Sequence, residues 1–406
     1  MSSATSRVAN DPGRPAEAGS PQLHGVPLSE GSVTVESEPQ KTAQLKVLIV
    51  APYFYPRVGG LENYVRHIAR ELSKIGWAVS VVCGDVAVRK PQQESMDGCT
   101  VYRLPVWKVI SNTPVHLGWY RMLRRIIKAE RPDVINANAP VPYMADMIAL
   151  AARRIPVVMT YHAGSMRKNQ IATDWAIRLY ESFLLPHTLN RAARIICSSD
   201  FVRDHFLRAW QDKSVTIMPG VDTEYFVPGE PRLDRQGIVF VGDFRDPRKG
   251  LDVLLEAVRE LPDVRLRIVG PGDARPQARV EFLGVKHGEA LVRELQRSQA
   301  LVLPSTTEAE GFGMVLIEAM ACATPVIASD IGGIALAVRD GVDGLLVPPG
   351  DPIALRRAIA GLLADPARIA KLGAAGRDRT ERLFTWSDRG LATDEALRAA
   401  RSGSRI

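Results

Sequence analysis

The 406-residue sequence predicts an α/β protein made of two Rossmann-like, doubly wound domains facing a central cleft. Three observations predict it. Short continuous runs of β-branched and aliphatic residues alternate with segments of helical apolar spacing, as parallel strands joined by crossover helices require. The alternation breaks at the Pro- and Gly-rich stretch Val227-Pro228-Gly229-Glu230-Pro231 and starts afresh beyond it. The chain is also too long for one small core, so two domains are the natural division.

Order is expected to begin at Lys46-Val47-Leu48-Ile49-Val50-Ala51, a run suited to a strand buried on both faces. A loop through Gly59-Gly60 leads to a helix over 61–75, where Leu61, Tyr64, Val65, Ile68 and Leu72 share one face. Strands follow at 79–83, 134–136, 157–160 and 195–198, with helices at 118–131, 142–154 and 172–192 between them. No element is assigned over 84–117 or 199–226. Beyond the break the pattern predicts strands at 237–242, 264–269, 282–284, 300–303, 325–328 and 344–347. The accompanying helices are at 250–261, 288–298, 313–322, 333–340 and 352–363, with a mostly helical C-terminus. The expected division is a disordered tail over 1–44, an N-terminal domain over 45–226 and a C-terminal domain over 227–385. A final helix and tail over 386–406 is expected to pack back on the N-terminal domain.

The tail reading rests on Ser, Pro, Gly and Glu without hydrophobic periodicity. Its net charge of −2 leaves +9 for the body, given +7 overall, so phosphates, nucleotides or an anionic membrane surface are plausible partners and no nucleic acid is expected. The segment Trp119–Arg131 mixes apolar residues with five basic ones. That fits a helix packed on the sheet with a basic outer face, or one resting on an anionic membrane. No apolar run reaches membrane-spanning length and no signal-peptide pattern opens the chain. Cys83, Cys99, Cys197 and Cys322 form no CxxC pair and no zinc spacing, consistent with small, reduced core residues in a cytoplasmic protein.

Several groups carry possible chemistry. Gly59 and Gly60 open the first helix, where free N–H groups meet anions; the pair also fits a plain tight turn. Glu62 follows in the first turn, where an acid equally well offsets the helix dipole. His162 ends a strand on the ligand side of such a sheet and could hydrogen-bond a sugar hydroxyl or a phosphate, though a lone histidine there also fits a structural part. In Gly242-Asp243-Phe244-Arg245-Asp246-Pro247-Arg248-Lys249-Gly250, the cations Arg245, Arg248 and Lys249 stand where a pyrophosphate could use them, or form a solvated loop. Gly270 opens a turn that could hold a nucleoside base, or simply turn the chain. Glu310 and Glu318 lie eight positions apart around Gly311-Phe312-Gly313. If helical throughout, the segment would separate them by roughly 12 Å, about one sugar linked to a nucleoside through a pyrophosphate. Glu318 interrupts an apolar helix and needs donors, which ribose hydroxyls or a basic side chain would supply.

With these residues in view the chain resembles the retaining nucleotide-sugar glycosyltransferases of family 4, which have the GT-B fold. The resemblance covers roughly 45–390. It is carried by Val58-Gly59-Gly60-Leu61-Glu62, Thr160-Tyr161-His162, Pro219–Phe226, Lys249-Gly250 and the block Leu303–Gly350, which contains the family's Glu-x7-Glu at Glu310 and Glu318. It implies that Gly59 and Gly60 meet donor phosphates or acceptor, that His162 contacts the transferred sugar, and that Lys249 stabilises the departing nucleoside diphosphate. Glu310 with the Gly311–Gly313 backbone would hold the sugar, and Glu318 the ribose. No metal or other cofactor is implied. Two departures stand out: Asp243 occupies a place the family usually gives to a cation, and Ala323 one where glycine is common.

The expected activity is transfer of a hexose from a UDP- or GDP-linked donor to a hydroxyl acceptor, with a glycolipid, lipid-linked or polysaccharide precursor the favoured class. Peripheral contact with the inner membrane face is compatible with the basic N-terminal domain. A nucleotide-sugar epimerase and a non-catalytic sugar-nucleotide-binding protein are the alternatives, the second supported only by Asp243. The missing GxGxxG speaks against a dehydrogenase.

Overall fold

A computed structural model gives the fold. It describes residues 44–403 apart from 58, 111, 163, 165, 167–170, 231–234, 276 and 309. The tail expected over 1–44 thus lies, save Gln44, outside the described residues.

The first half runs β1 (Lys46–Ala51), α1 (Gly60–Lys74), β2 (Ala78–Asp85), β3 (Gln92–Met96), β4 (Cys99–Pro105), β5 (Lys108–Ile110), β6 (Thr113–Val115), α2 (Trp119–Glu130), β7 (Val134–Ala139), α3 (Met144–Ala152), β8 (Val157–Tyr161), α4 (Ile171–Leu179), a π-helical turn (Tyr180–Leu184), α5 (Leu185–Arg191), β9 (Arg194–Cys197), α6 (Asp200–Phe206) and β10 (Ser214–Thr216). Eight strands form one sheet in the order β10-β9-β8-β7-β1-β2-β4-β3, parallel except for β3. β5 and β6 pair separately as an antiparallel hairpin. The second half runs β11 (Ile238–Val241), α7 (Leu251–Arg259), β12 (Leu266–Val269), β13 (Val280–Phe282), α8 (Glu289–Gln296), β14 (Ala300–Leu303), α9 (Met314–Ala321), β15 (Val326–Ser329), α10 (Ile334–Ala337), β16 (Leu345–Val347), α11 (Pro352–Leu363), α12 (Pro366–Leu383) and α13 (Trp386–Ser402). Its six strands are all parallel, in the order β13-β12-β11-β14-β15-β16. Both sheets are doubly wound. The order turns back beside β1 in the first and beside β11 in the second, which opens a crevice at the strand C-termini.

Several sequence expectations need correction. The unassigned stretch 84–117 holds β3, β4 and the small hairpin, and 199–226 holds α6 and β10. β3 escapes pattern reading because it is an edge strand of sequence QQESM with almost no buried face. The helix expected over 333–340 is a single turn. It stops at Val338 because the buried Asp343 carboxylate takes the Arg339 N–H at 2.6 Å and its Nε at 2.5 Å. α2 buries Trp119, Leu123, Ile126 and Ile127 against the sheet and turns Arg121, Arg125 and Lys128 outward. The four cysteines are free and buried. Among the described residues no helix is long and apolar enough to cross a membrane.

Candidate active site

The second half supplies the charged loop. After β11 the chain makes two tandem Asp-x-Arg turns. Asp243 accepts the Arg245 backbone N–H (3.1 Å), Nε (2.8 Å) and Nη2 (2.6 Å), and Asp246 repeats this with Arg248 at 3.1, 2.9 and 2.6 Å. Arg245 holds the Asp243 carboxyl below its usual range, so this carboxylate is neutralised locally. The Arg245 side chain is 64% exposed and does not line the neighbouring pocket, whereas Arg248 does. Lys249 follows on a single 3-10 turn, and its ammonium pairs with the Glu310 carboxylate. The two loops meet because Gly250 is left-handed (φ 72°). A Cβ there would lie 1.8 Å from Pro304 O. The Thr306 N–H laces them further, at 2.8 Å from Arg248 O. Asp246, Arg248, Lys249, Ser305, Thr307 and Glu310 enclose a pocket of about 150 Å³.

Gly313 (φ 80°) begins α9 without a side-chain cap, leaving the first N–H groups of the helix open. The helix starts only at Met314, so the 12 Å spacing expected for an unbroken helix from Glu310 does not apply. The two carboxylates instead serve different cavities. Glu318 lines a cleft cavity of about 930 Å³ together with Asn63, Arg66 and His67 of α1, Tyr225 and His287. Protein rings Glu318 although it stays partly accessible through that cavity, and burial pushes its carboxyl up to about 7.

The glycines divide by purpose. A Cβ on Gly311 would lie 2.0 Å from His162 O, and one on Gly164 2.4 Å from Glu308 O, so glycine is what lets the two halves touch beside the pocket. Gly270 (φ 144°), expected near a base, is fixed by the sheet: a Cβ would lie 1.8 Å from Gly242 O. Phe312, expected to bind substrate, is 3% exposed, and its ring meets the Phe384 edge at 5.5 Å inside the core. Only its backbone belongs to the site.

In the first half, Gly59 precedes α1 in an extended conformation and carries no cap. The Glu62 carboxylate folds back over it, since a Cβ on Gly59 would lie 2.5 Å from Glu62 Oε2. Glu62 also pairs with Arg57 at 3.3 Å and is raised above the usual carboxylate range by burial. It therefore compensates the helix start rather than standing free for substrate. Gly60 faces the second half, with Met314 Sδ 3.7 Å from where its Cβ would be. The starts of α1 and α9 thus oppose each other across the cleft.

His162 follows β8. Asn138 Nδ2 is engaged by Val50 O (3.0 Å), so its Oδ1 faces His162 Nε2 at 2.7 Å and must accept. The network thereby assigns the imidazole proton to Nε2 and leaves Nδ1 an acceptor. Burial lowers the His162 pKa to about 4, which keeps the ring neutral, and the Tyr64 ring packs edge-on at 4.7 Å. Asn138 was not predicted. Its signal is visible in β7, VINANA, where two asparagines at i and i+2 interrupt a fully buried strand. Asn136, the other, donates to Thr160 Oγ1 at 2.8 Å. The arrangement gathers Lys249, Arg248, Glu310 and the start of α9 from the second half and His162 from the first, where Gly311 meets His162 O, with Glu318 in a separate cavity.

A sequence model described as Glycosyltransferase Family 4 matches residues 58–225, and one described as Glycosyl transferases group 1 matches 235–365. The chain is similar to the phosphatidyl-myo-inositol mannosyltransferase of Mycolicibacterium smegmatis, at 29% identity over 84% of this chain and 91% of the relative. It is similar at 29% identity to the D-rhamnosyltransferase WbpZ of Pseudomonas aeruginosa, over 82% and 90% of the two chains. In fold it resembles sucrose-phosphate synthase from Thermosynechococcus elongatus, with a TM-score of 0.71 at 24% identity over 89% of this chain and 100% of that one. It also resembles Anabaena HepE in complex with UDP and glucose, with a TM-score of 0.69 at 20% identity over 88% and 100%. The fold of the chain is of the GT-B type.

Proposed function

Because the chain belongs to the family-4 glycosyltransferases, we propose that it is a retaining enzyme moving a hexosyl group from a UDP- or GDP-linked sugar to a hydroxyl of a glycolipid, lipid-linked or polysaccharide-precursor acceptor. The observation that carries this reading is the Lys249–Glu310 pair, a cation and a carboxylate lining one pocket. In the free enzyme the two neutralise each other. With donor bound, Lys249 moves to the β-phosphate and Glu310 accepts from the sugar hydroxyls. Lys249, Arg248 and the open N–H groups of α9 then take up the charge that builds on the leaving diphosphate, which needs no metal ion. Glu318 accepts from ribose hydroxyls in the larger cavity. Neutral His162 orients the sugar. Departure and attack share one face of the ring, with no covalent intermediate.

The acceptor class draws on the relatives named for a phosphatidylinositol acceptor and for a rhamnosyl transfer. It also fits the outward basic face of α2, next to Trp107 (70% exposed) and Leu117 (81%), which suits peripheral contact with the anionic inner face of a membrane.

The test is a thermal-shift screen against UDP, GDP, ADP and their hexose conjugates, followed by NMR of the product's anomeric configuration. A bound nucleotide raises the melting temperature by mass action. No response to any conjugate counts against the transferase, and an inverted anomer against retention. An epimerase would convert the donor with no acceptor present.

A further inference from the structure

Two hydroxyls beside the Lys249–Glu310 pair have no role in the mechanism so far. Past β14 the side chains alternate. Thr306 Oγ1 lies 3.4 Å from Arg248 O, while Ser305 and Thr307 line the 150 Å³ pocket. Ser305 is 1% exposed, and neither its Oγ nor Thr307 Oγ1 has a hydrogen-bond partner in the protein. Buried hydroxyls left unpaired are costly, and alanine and valine would fill the same space without that penalty.

The volume narrows the ligand. A cavity of about 150 Å³ accommodates one six-membered ring, as benzene does in an apolar example. Here the lining is charged and hydroxylic, so the matching ring is polyhydroxylated. A nucleoside has the separate 930 Å³ cavity at Glu318. Lys249 can only donate and Glu310 can only accept, whereas a serine or threonine hydroxyl does both, as a sugar hydroxyl does. Resting on the reading that the donor is a nucleotide sugar, we propose that Ser305 and Thr307 read the transferred hexose, hydrogen-bonding its ring hydroxyls and setting which epimer is accepted.

The experiment compares Ser305→Ala, Thr307→Val and the double variant with wild type by calorimetric titration. The ligands are a panel of UDP-, GDP- and ADP-hexoses that includes the glucose and galactose epimers, together with UDP, GDP and ADP. Each variant is expected to lose roughly tenfold in affinity for the sugar conjugate that wild type prefers, the scale of one hydrogen bond. Preference over the epimer narrows, binding of the bare diphosphate is unchanged, and the ligand-free melting temperature holds or rises. An equal loss for conjugate and bare diphosphate would put the hydroxyls on phosphate and overturn the proposal. Unchanged epimer preference, or a fall in ligand-free melting temperature, overturns it as well. A wild-type chain that binds no conjugate defeats the transferase reading itself, which separates that failure from this one.

Discussion

Lys249 and Glu310 hold each other in the free enzyme, so neither is a bystander charge. Replacing the lysine removes the cation nearest the leaving group. Lys249→Ala is expected to lower turnover by about 10²-fold or more, the loss seen when one strong transition-state donor is removed. Steady-state kinetics at saturating donor checks this, and an unchanged rate would take Lys249 out of the mechanism. Glu318 makes a different prediction, about pH. Its carboxyl is raised from 4.5 to about 7, so between those values the folded chain holds a proton that the unfolded chain has released. That contribution to stability is complete below pH 4.5 and is lost as pH rises through 7. His67 and His162 oppose it: both are lowered from 6.5 to about 4, so folding gains with pH across that window. Glu318→Gln removes the falling arm alone. The variant should melt above wild type at pH 8 by on the order of 2 kcal/mol of stability, with the gap closing toward pH 4.5. A gap of constant size across that range would mean an ordinary carboxyl.

At the scale of elements, α9 and its approach loop decide the site. The helix buries Leu316, Ile317, Ala319, Met320 and Ala321 and supplies no polar cap of its own, and arginines from elsewhere close carbonyls at and just beyond its C-terminus. Arg377 Nη1 donates to Ala321 O at 2.8 Å and Arg235 Nη1 to Ala323 O at 2.8 Å. Its start is set by Gly313, and the preceding Gly311 lies against His162. Gly311→Ala should therefore force the loop off the first half and lower kcat/KM at least tenfold, since overpacking of this kind typically costs about 1–3 kcal/mol. Kinetics alongside nucleotide affinity checks it; wild-type kcat/KM would show that the contact is slack. Sequence pattern reached much of this level. The bounds 300–303 and 352–363 coincide with β14 and α11, where a buried aliphatic run and an Asp-Pro start leave little ambiguity. Lys249 and Glu310 were picked out by the motifs that contain them and His162 by its place at a strand end, all of which are properties of the sequence. What stayed hidden depends on tertiary facing. Phe312 between two glycines reads as a loop aromatic, yet the turn drives its ring inward onto Phe384. Gly270 reads as a ligand glycine, yet it answers to the Gly242 carbonyl. The β3–β4 hairpin was missed although Asp97-Gly98 marks it, with positive φ at both residues (50° and 77°) as a two-residue type I′ turn requires.

Across the whole molecule the chain passes between its halves twice, and the two crossings are tied together. Val221 N donates to Phe384 O at 2.7 Å, and Val221 forms a β-bridge with Thr385. Beyond the second crossing, α13 joins the first half's core: Trp386, Ala396, Leu397 and Ala400 pack with Ile49, Val65, Ile68 and Leu72. Trp77 Nε1 donates to Asp394 at 2.6 Å, and Arg401 pairs with Asp133 at 3.2 Å. Trp386 is the pivot. Its ring stacks on His67 with centroids 4.6 Å apart and planes 1° from parallel, and it meets the Tyr64 edge at 5.7 Å. Tyr64 in turn packs on His162, so α13 buttresses a site residue of the first half. Gly220 is the close neighbour that makes room, since a Cβ there would lie 2.8 Å from the indole. Trp386 is 6% exposed, while Leu391 on the same helix is 54% exposed. Trp386→Ala should cost about 3–5 kcal/mol, the range for deleting a large buried aromatic, and should lower activity as the support behind Tyr64 and His162 loosens. Leu391→Ala should change neither by more than about 0.5 kcal/mol. Chemical denaturation of both variants, read beside turnover, decides the point. If Trp386→Ala were as stable as Leu391→Ala, α13 would be an appendage of the first half and not part of its core.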